Sequence, residues 1–221
     1  MIRYLLEIDD LHTPHFRVTL TLPHPAPLQR LSLPVWIPGS YLVREFSRHL
    51  SGLQAHQGRR AVALTQLDKC TWQAECSGRT ALTVSWRVYA FDNSVRCAWL
   101  DTQRGFFNGT GVFLRAEGRE ADEHRLTLGA LPAGWEAATG LPQVAPGEYG
   151  APDYEALVDH PVELGTFWRG TFTACGVAHE FVVAGALPGF DGARLLADTQ
   201  RLCEAQIRFW HGGPDGTAPP P

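Results

Sequence analysis

The chain has 221 residues, 44% of them hydrophobic, with 19 basic and 23 acidic side chains for a net charge of -4. That size suggests one large domain or one domain with part of another. Lys69 is the only lysine, and the acidic balance argues against a nucleic-acid or anionic-membrane partner, both of which call for a basic surface. No apolar run reaches the roughly 20 residues needed to span a bilayer.

Ile2–Ile8 reads as a strand, and the acidic start, with Glu7, Asp9 and Asp10, does not resemble a secretory signal. Phe16–Leu22 alternates strictly: Phe16, Val18, Leu20 and Leu22 on one side, Arg17, Thr19 and Thr21 on the other. Leu31–Ile37 and Thr71–Glu75 are weaker strands. Leu82–Val88 repeats the clean alternation and places Trp86 on its apolar face. Val112–Leu114, His124–Leu128, Phe167–Thr173 and His179–Ala184 are further short strands. Turn residues separate them, and Asn108-Gly109 is expected to close a tight hairpin. The pattern predicts a mainly β protein, an antiparallel β-sandwich. From Ala193 to Trp210 the period changes. Leu195, Leu196, Leu202, Cys203, Ile207 and Trp210 form one helical stripe, with Asp191 as the expected cap and Gly212 to Pro214 as the stop. A Pro-rich tail, 215–221, follows.

Phosphate-binding glycine loops, a Gly-x-Ser-x-Gly elbow and Cys-x-x-Cys pairs are absent from the sequence. The five cysteines, Cys70, Cys76, Cys97, Cys175 and Cys203, are odd in number and scattered, which fits a reducing cytoplasm. His179-Glu180 begins like His-Glu-x-x-His, but position 183 is Val and the segment is β-branched, so a zinc site is not expected there.

Three segments stand out. In Trp36–His49, an apolar strand turns at Pro38-Gly39 into a crowded polar stretch holding Tyr41, Arg44, Glu45, Arg48 and His49. An arginine fork there could bind a carboxylate, or Arg44–Glu45 and Arg48–Asp pairs could simply pin the turn. In Phe106–Leu114, glycines flanking Thr110 permit close backbone approach beside paired aromatics, on a hairpin. In Tyr154–Gly165, Asp159, His160 and Glu163 bracket Pro161, which forces His160 to be extended. That cluster reads as a loop between strands that could line a cleft and bind an ammonium group.

Taken in order, 38–49, 107–110, 159–165, 179–183 and 195–210 resemble the glycyl aminopeptidase family of zinc metallopeptidases. That family joins an N-terminal β-domain to a thermolysin-like catalytic domain and a PDZ domain. The resemblance implies an N-terminal β-domain at 1–155 and the opening strands and first helix of a catalytic domain at 156–221. It implies no cofactor in this chain, with zinc held in the missing catalytic domain, and no catalytic residue or metal ligand here. The implied role is scaffold and wall of a cleft for a peptide's N-terminus, in an enzyme releasing small N-terminal residues such as Gly or Ala. Cleft candidates are Tyr41, Arg44, Glu45, Asn108, Asp159 and Glu163. The missing catalytic domain is the expected partner. The apolar stripe of the terminal helix is the expected docking face, through which self-association is also conceivable. Two alternatives remain: a free-standing sandwich that binds sugar or peptide on exposed aromatics, and a small hydrolase using Asp159 and Glu163 as acid and base.

Overall fold

Alternation of apolar and polar side chains builds most of the structure, a computed structural model describing residues 1–37 and 40–212. In chain order the first strands are Ile2–Asp10 (β1), His15–Leu22 (β2), Leu28–Ser32 (β3), Leu50–Gln57 (β4), Arg60–Val62 (β5), Leu64–Asp68 (β6), Thr71–Glu75 (β7) and Leu82–Tyr89 (β8). Then come Ala98–Leu100 (β9), Arg104–Phe107 (β10), Arg115–Ala116 (β11), His124–Leu128 (β12), Glu136–Thr139 (β13), Gln143–Ala145 (β14) and Glu148–Ala151 (β15). A short helix, Tyr154–Asp159 (α1), leads to Val162–Gly165 (β16). Phe167–Ala174 (β17), Val177–Ala184 (β18) and Gly192–His211 (α2) complete the described elements. Two compact units result, Met1–Gly165 and a second beginning at Thr166; α1 and β16 fall in the first.

The first unit is sandwich-like. Its eight-stranded sheet runs β14-β15-β12-β1-β2-β8-β4-β5, and two four-stranded sheets run β13-β16-β10-β9 and β11-β3-β7-β6. Neighbours pair antiparallel except β1 with β12. The period-two pattern turns Phe16, Val18, Leu20, Leu82, Val84 and Trp86 inward, where they join Leu31, Ala74, Phe107 and Leu164 from the smaller sheets in one buried cluster. Each large side chain so buried contributes about 1.5–3 kcal/mol.

Two expected strands differ. Val112–Leu114 is not a strand, because its three successive carbonyls take side-chain donors from the rest of the unit instead of a ladder. Trp86 Nε1 donates to Val112 (3.1 Å), the Tyr154 hydroxyl to Phe113 (2.7 Å) and the Tyr4 hydroxyl to Leu114 (2.8 Å). All three donors are buried, so each bond replaces water at a carbonyl that would otherwise be orphaned. The strand expected at 31–37 ends at Ser32; Leu33 still donates to Cys70, and Pro34 then offers no N–H to continue the ladder. The Pro38-Gly39 turn lies outside the described residues.

The second unit pairs β17 with β18 through a Cys175-Gly176 turn whose residues both have positive φ, 48° and 82°. His179 and Glu180 therefore lie on a strand, His179 stacked on Phe172 and Glu180 paired with Arg169. In α2, Asp191 accepts from the Arg194 N–H (2.9 Å), as the capping pattern predicts, and Gly212 ends the helix. Leu195, Leu196, Cys203 and Ile207 are half-buried, but Leu202 and Trp210, assigned to the same stripe, are 66% and 70% exposed. Both sit off the narrow face that meets β17. The tail at 215–221 lies outside the described residues.

Candidate functional site

The short helix α1 is positioned by its neighbours rather than by its own length. Asp153 accepts from the Ala156 N–H (2.7 Å), capping the first turn. The buried Tyr154 and Leu157 anchor its inner side. Against it packs a single 3-10 turn, Gly109–Gly111, capped by Asn108, whose Oδ1 accepts from the Thr110 N–H (3.1 Å). A Cβ at Gly109 would lie 2.9 Å from the Val158 Cα, so this position requires glycine for close approach. Asn108-Gly109 is thus a helical cap, not a hairpin turn; the hairpin is formed one element earlier by β9 and β10. Tyr154–Asp159, read from sequence as loop, is helical because the Asp153 cap and two buried anchors compensate for its shortness.

The two turns enclose a cleft of about 500 Å³ lined by Ile37, Asn108, Thr110, Asp153, Glu155, Ala156, Val158, Asp159 and His160. Three carboxylates border it, one of them partly engaged as the cap. His160 is extended, as Pro161 requires, with φ -108° and ψ 99°. Its Nδ1 lies 2.7 Å from the Ala156 carbonyl. A carbonyl only accepts, so Nδ1 carries a proton, and in the neutral ring Nε2 is the acceptor. The lining is therefore rich in acceptors and suits a positively charged or multiply N–H-bearing group.

Of the predicted site residues, Asn108 and Asp159 meet in this cleft. Tyr41 is 94% exposed. Arg44 turns back on its own loop, its guanidinium donating to Ser40 Oγ (2.7 and 3.0 Å). Glu45 pairs with Lys69 (2.6 Å), not with Arg44, whereas Arg48 does meet an aspartate, Asp92, at 3.9 Å. Glu163 lies outside the cleft lining. Its side chain, largely buried, lies on the opposite face of β16 from Val162 and Leu164 and accepts both ends of the Arg104 fork (2.9 and 3.1 Å). Burial pushes its carboxyl up, against the pull of Arg104. Asp159 and Glu163 therefore do not share one pocket, as an acid–base pair would. His160, read with Asp159 and Glu163 as part of a cluster that could line a cleft, does line it, whereas Asp153, Glu155, Thr110 and Ile37 were not among the cleft candidates. An aspartate one position before a six-residue apolar-anchored turn was the signal available for Asp153 and Glu155.

Among the described residues no group of three or more His, Cys, Asp or Glu is placed to hold a metal ion. The donor set does not fit a zinc site, and no hydrolytic step is assigned to these residues.

Residues 3–166 match the peptidase M61 N-terminal domain, and the chain belongs to that family. An aminopeptidase N family protein from Idiomarina loihiensis is 39% identical, with a TM-score of 0.90 over 97% of this chain and 37% of its own. An M1 zinc metallopeptidase from Deinococcus radiodurans shares the fold at 13% identity and a TM-score of 0.52, over 95% of this chain and 52% of its own. Leukotriene A4 hydrolase from Saccharomyces cerevisiae does so at 10% identity and a TM-score of 0.50, over 94% and 33%. No curated protein matches the chain. The chain spans little more than a third of the Idiomarina protein's length.

Proposed function

We propose that this chain is the N-terminal, non-catalytic part of a zinc-dependent aminopeptidase. In this reading a catalytic domain elsewhere in the parent polypeptide holds the zinc, and the parent carries a PDZ domain and works in the cytoplasm. The domain described here is scaffold and cleft wall, and the substrates are peptides with small N-terminal residues, Gly or Ala. The observation that carries the reading is the acidic cleft between α1 and the Asn108–Gly111 turn, within a domain of the M61 N-terminal family. A peptide's free amine is a cation with three donors. Asp159, Glu155 and the Asn108 side chain supply acceptors of matching sign. Tyr41, Arg44 and Glu45 follow Ile37 closely in sequence and are proposed to border the same cleft. Glu163, tied to Arg104, is proposed to act at one remove, by fixing β10 beside the Asn108 turn. The test is the parent enzyme bearing Asp159→Asn, assayed on glycyl and alanyl p-nitroanilides. KM rises about tenfold with little change in kcat if the carboxylate receives the amine. An unchanged KM removes Asp159 from the site.

A second reading, a free-standing sugar- or peptide-binding sandwich, draws on one observation. Phe91 stacks on Trp99 (4.6 Å between centroids), and Tyr89 and Phe91 are 42% and 54% exposed. Against it, the helix α2 leaves Leu202, Phe209 and Trp210 exposed, where a free-standing module would present a polar face. Quenching of tryptophan fluorescence by oligosaccharides would favour this second reading.

A further inference from the structure

The outer face of the eight-stranded sheet carries an arrangement that the peptidase reading does not use. Arg17 of β2 and Arg87 of β8 stand directly opposite each other. Like charges in that register repel. Asp9 of β1 holds them: its Oδ1 accepts from Arg17, and its Oδ2 accepts from Arg87, whose Nε lies at 2.8 Å. The hydrogen bond from Arg87, with the charges of both arginines, keeps the Asp9 carboxyl below its ordinary value. The Asp9 side chain is only 11% exposed, whereas those of Arg17 and Arg87 are 51% and 49% exposed. Both carboxylate oxygens are engaged, yet each guanidinium has five N–H donors and most of them have no acceptor among the described residues.

These unused donors border a depression of about 440 Å³ lined by Arg17, Gly52, Gln54, Ser85, Trp86 and Arg87. A β-bulge makes it. The register of β4 on β8 shifts between Ser51 and Gln54, and Gly52 adopts φ 65° with open space about it. Gln54 and Ser85 are cross-strand partners at the edge of that bulge, and they add an amide and a hydroxyl. Among the described residues no carboxylate lines the depression. Glu7 faces Arg17 from β1, on the opposite side of β2. With Glu7 counted, two cations face two anions, so what the depression offers is unused guanidinium N–H donors rather than net charge. A plain ion-pair clip holding three strands together would not need the concavity.

The geometry points to a binding site for a carboxylate group, received by the Arg17 and Arg87 forks with Gln54 and Ser85 completing its hydrogen bonds. The planar, singly charged carboxylate matches the guanidinium fork and brings less negative charge beside Asp9 and Glu7 than a phosphate dianion would. The group can come from an acidic residue or from the carboxyl end of a peptide, since both present the same atoms. The inference goes beyond the aminopeptidase reading and stands without it.

The test is a titration of the 221-residue protein followed by proton–nitrogen NMR of the arginine Nε–H resonances. Acetyl-glutamate amide supplies the carboxylate of an acidic residue and acetyl-alanine a terminal one; acetyl-glutamine amide and inorganic phosphate are controls at matched ionic strength. Saturable shifts of Arg17 and Arg87 with either carboxylate, and none with the neutral amide, are expected, and the arm that binds identifies the source. Arg17→Gln should weaken binding about tenfold, and Arg17→Lys should weaken it too, because charge without the fork is insufficient. Gln54→Leu leaves the Asp9 cluster intact and should weaken binding about threefold, which covers the case of an arginine variant that fails to fold. The proposal is overturned by an absence of shift with both carboxylates, by equal or stronger binding of phosphate, or by unchanged affinity in the variants.

Discussion

Gly109→Ala puts the packing that forms the cleft under direct strain. The added Cβ would lie 2.9 Å from the Val158 Cα, 3.1 Å from the Phe113 ring and 3.3 Å from the Leu157 carbonyl oxygen. Two of those three atoms are backbone, so a side-chain rotation cannot relieve the clash and the α1 turn must move. Overpacking of this kind costs about 1–3 kcal/mol. The loss of glycine's freedom in the unfolded chain returns about 0.4–1 kcal/mol. The net loss is therefore about 0.5–2 kcal/mol. With a urea m-value of about 2 kcal/mol/M, the unfolding midpoint falls by roughly 0.3–1 M. Gly111→Ala, in the same turn, is the control, because its Cβ would meet the Phe46 ring at 3.5 Å and the Arg96 carbonyl oxygen at 3.8 Å, both ordinary contacts. Its midpoint should hold or rise. Tryptophan fluorescence during urea titration reads both variants, since Trp86 is buried in the same unit. A Gly109→Ala midpoint equal to that of the parent chain would refute the close-approach argument.

Three further outcomes follow from the same structure. Tyr154→Phe removes the donor to the Phe113 carbonyl and leaves that buried oxygen unpaired, which should cost about 1–3 kcal/mol in urea unfolding; an unchanged midpoint would show that water reaches it. Fully buried His124 has its Nδ1 against the Asp122 carbonyl and, among the described residues, no partner for Nε2, and burial lowers its pKa despite the raising effects of Asp122 and Asp153. The unfolded chain then binds more protons below about pH 6.5, so stability is constant above that value and falls as the pH drops through it toward the folded value. His124→Phe should flatten the decline, and an identical pH profile in the variant would contradict the assignment. Arg104→Ala removes the one influence lowering the Glu163 pKa, so carbon NMR should find that carboxyl titrating higher still; a lower value would reverse the assigned cause.

Legibility tracked the length of each pattern. β2, β8 and β12 alternate over five to eight residues and lie within a residue or two of where the sequence places them. Trp86 is core, and Asp191 caps its helix, because both signals are local. Residues 112–114 look like a strand by composition, but their carbonyls are taken by Trp86, Tyr154 and Tyr4, partners from 26 to 110 residues away. No local pattern encodes that. The cleft was half legible for the same reason. Asn108 and Asp159 were visible as ionisable or polar groups at turns, whereas Glu155 and Asp153 acquire a role only once Gly109 admits α1 against the 3-10 turn. Glu163 looked like a partner of Asp159 because the two bracket Pro161 within one short segment. β16 turns it instead toward Arg104, a residue 59 positions away.

Hydrolysis of glycyl and alanyl p-nitroanilides by the purified 221-residue protein supplied with zinc puts the division of labour to a single assay. Release of p-nitroaniline at the buffer rate is the outcome expected of a cleft wall that relies on a metal-bearing domain elsewhere in its parent. Sustained turnover, abolished by a chelator, would place the chemistry in this polypeptide and contradict the account.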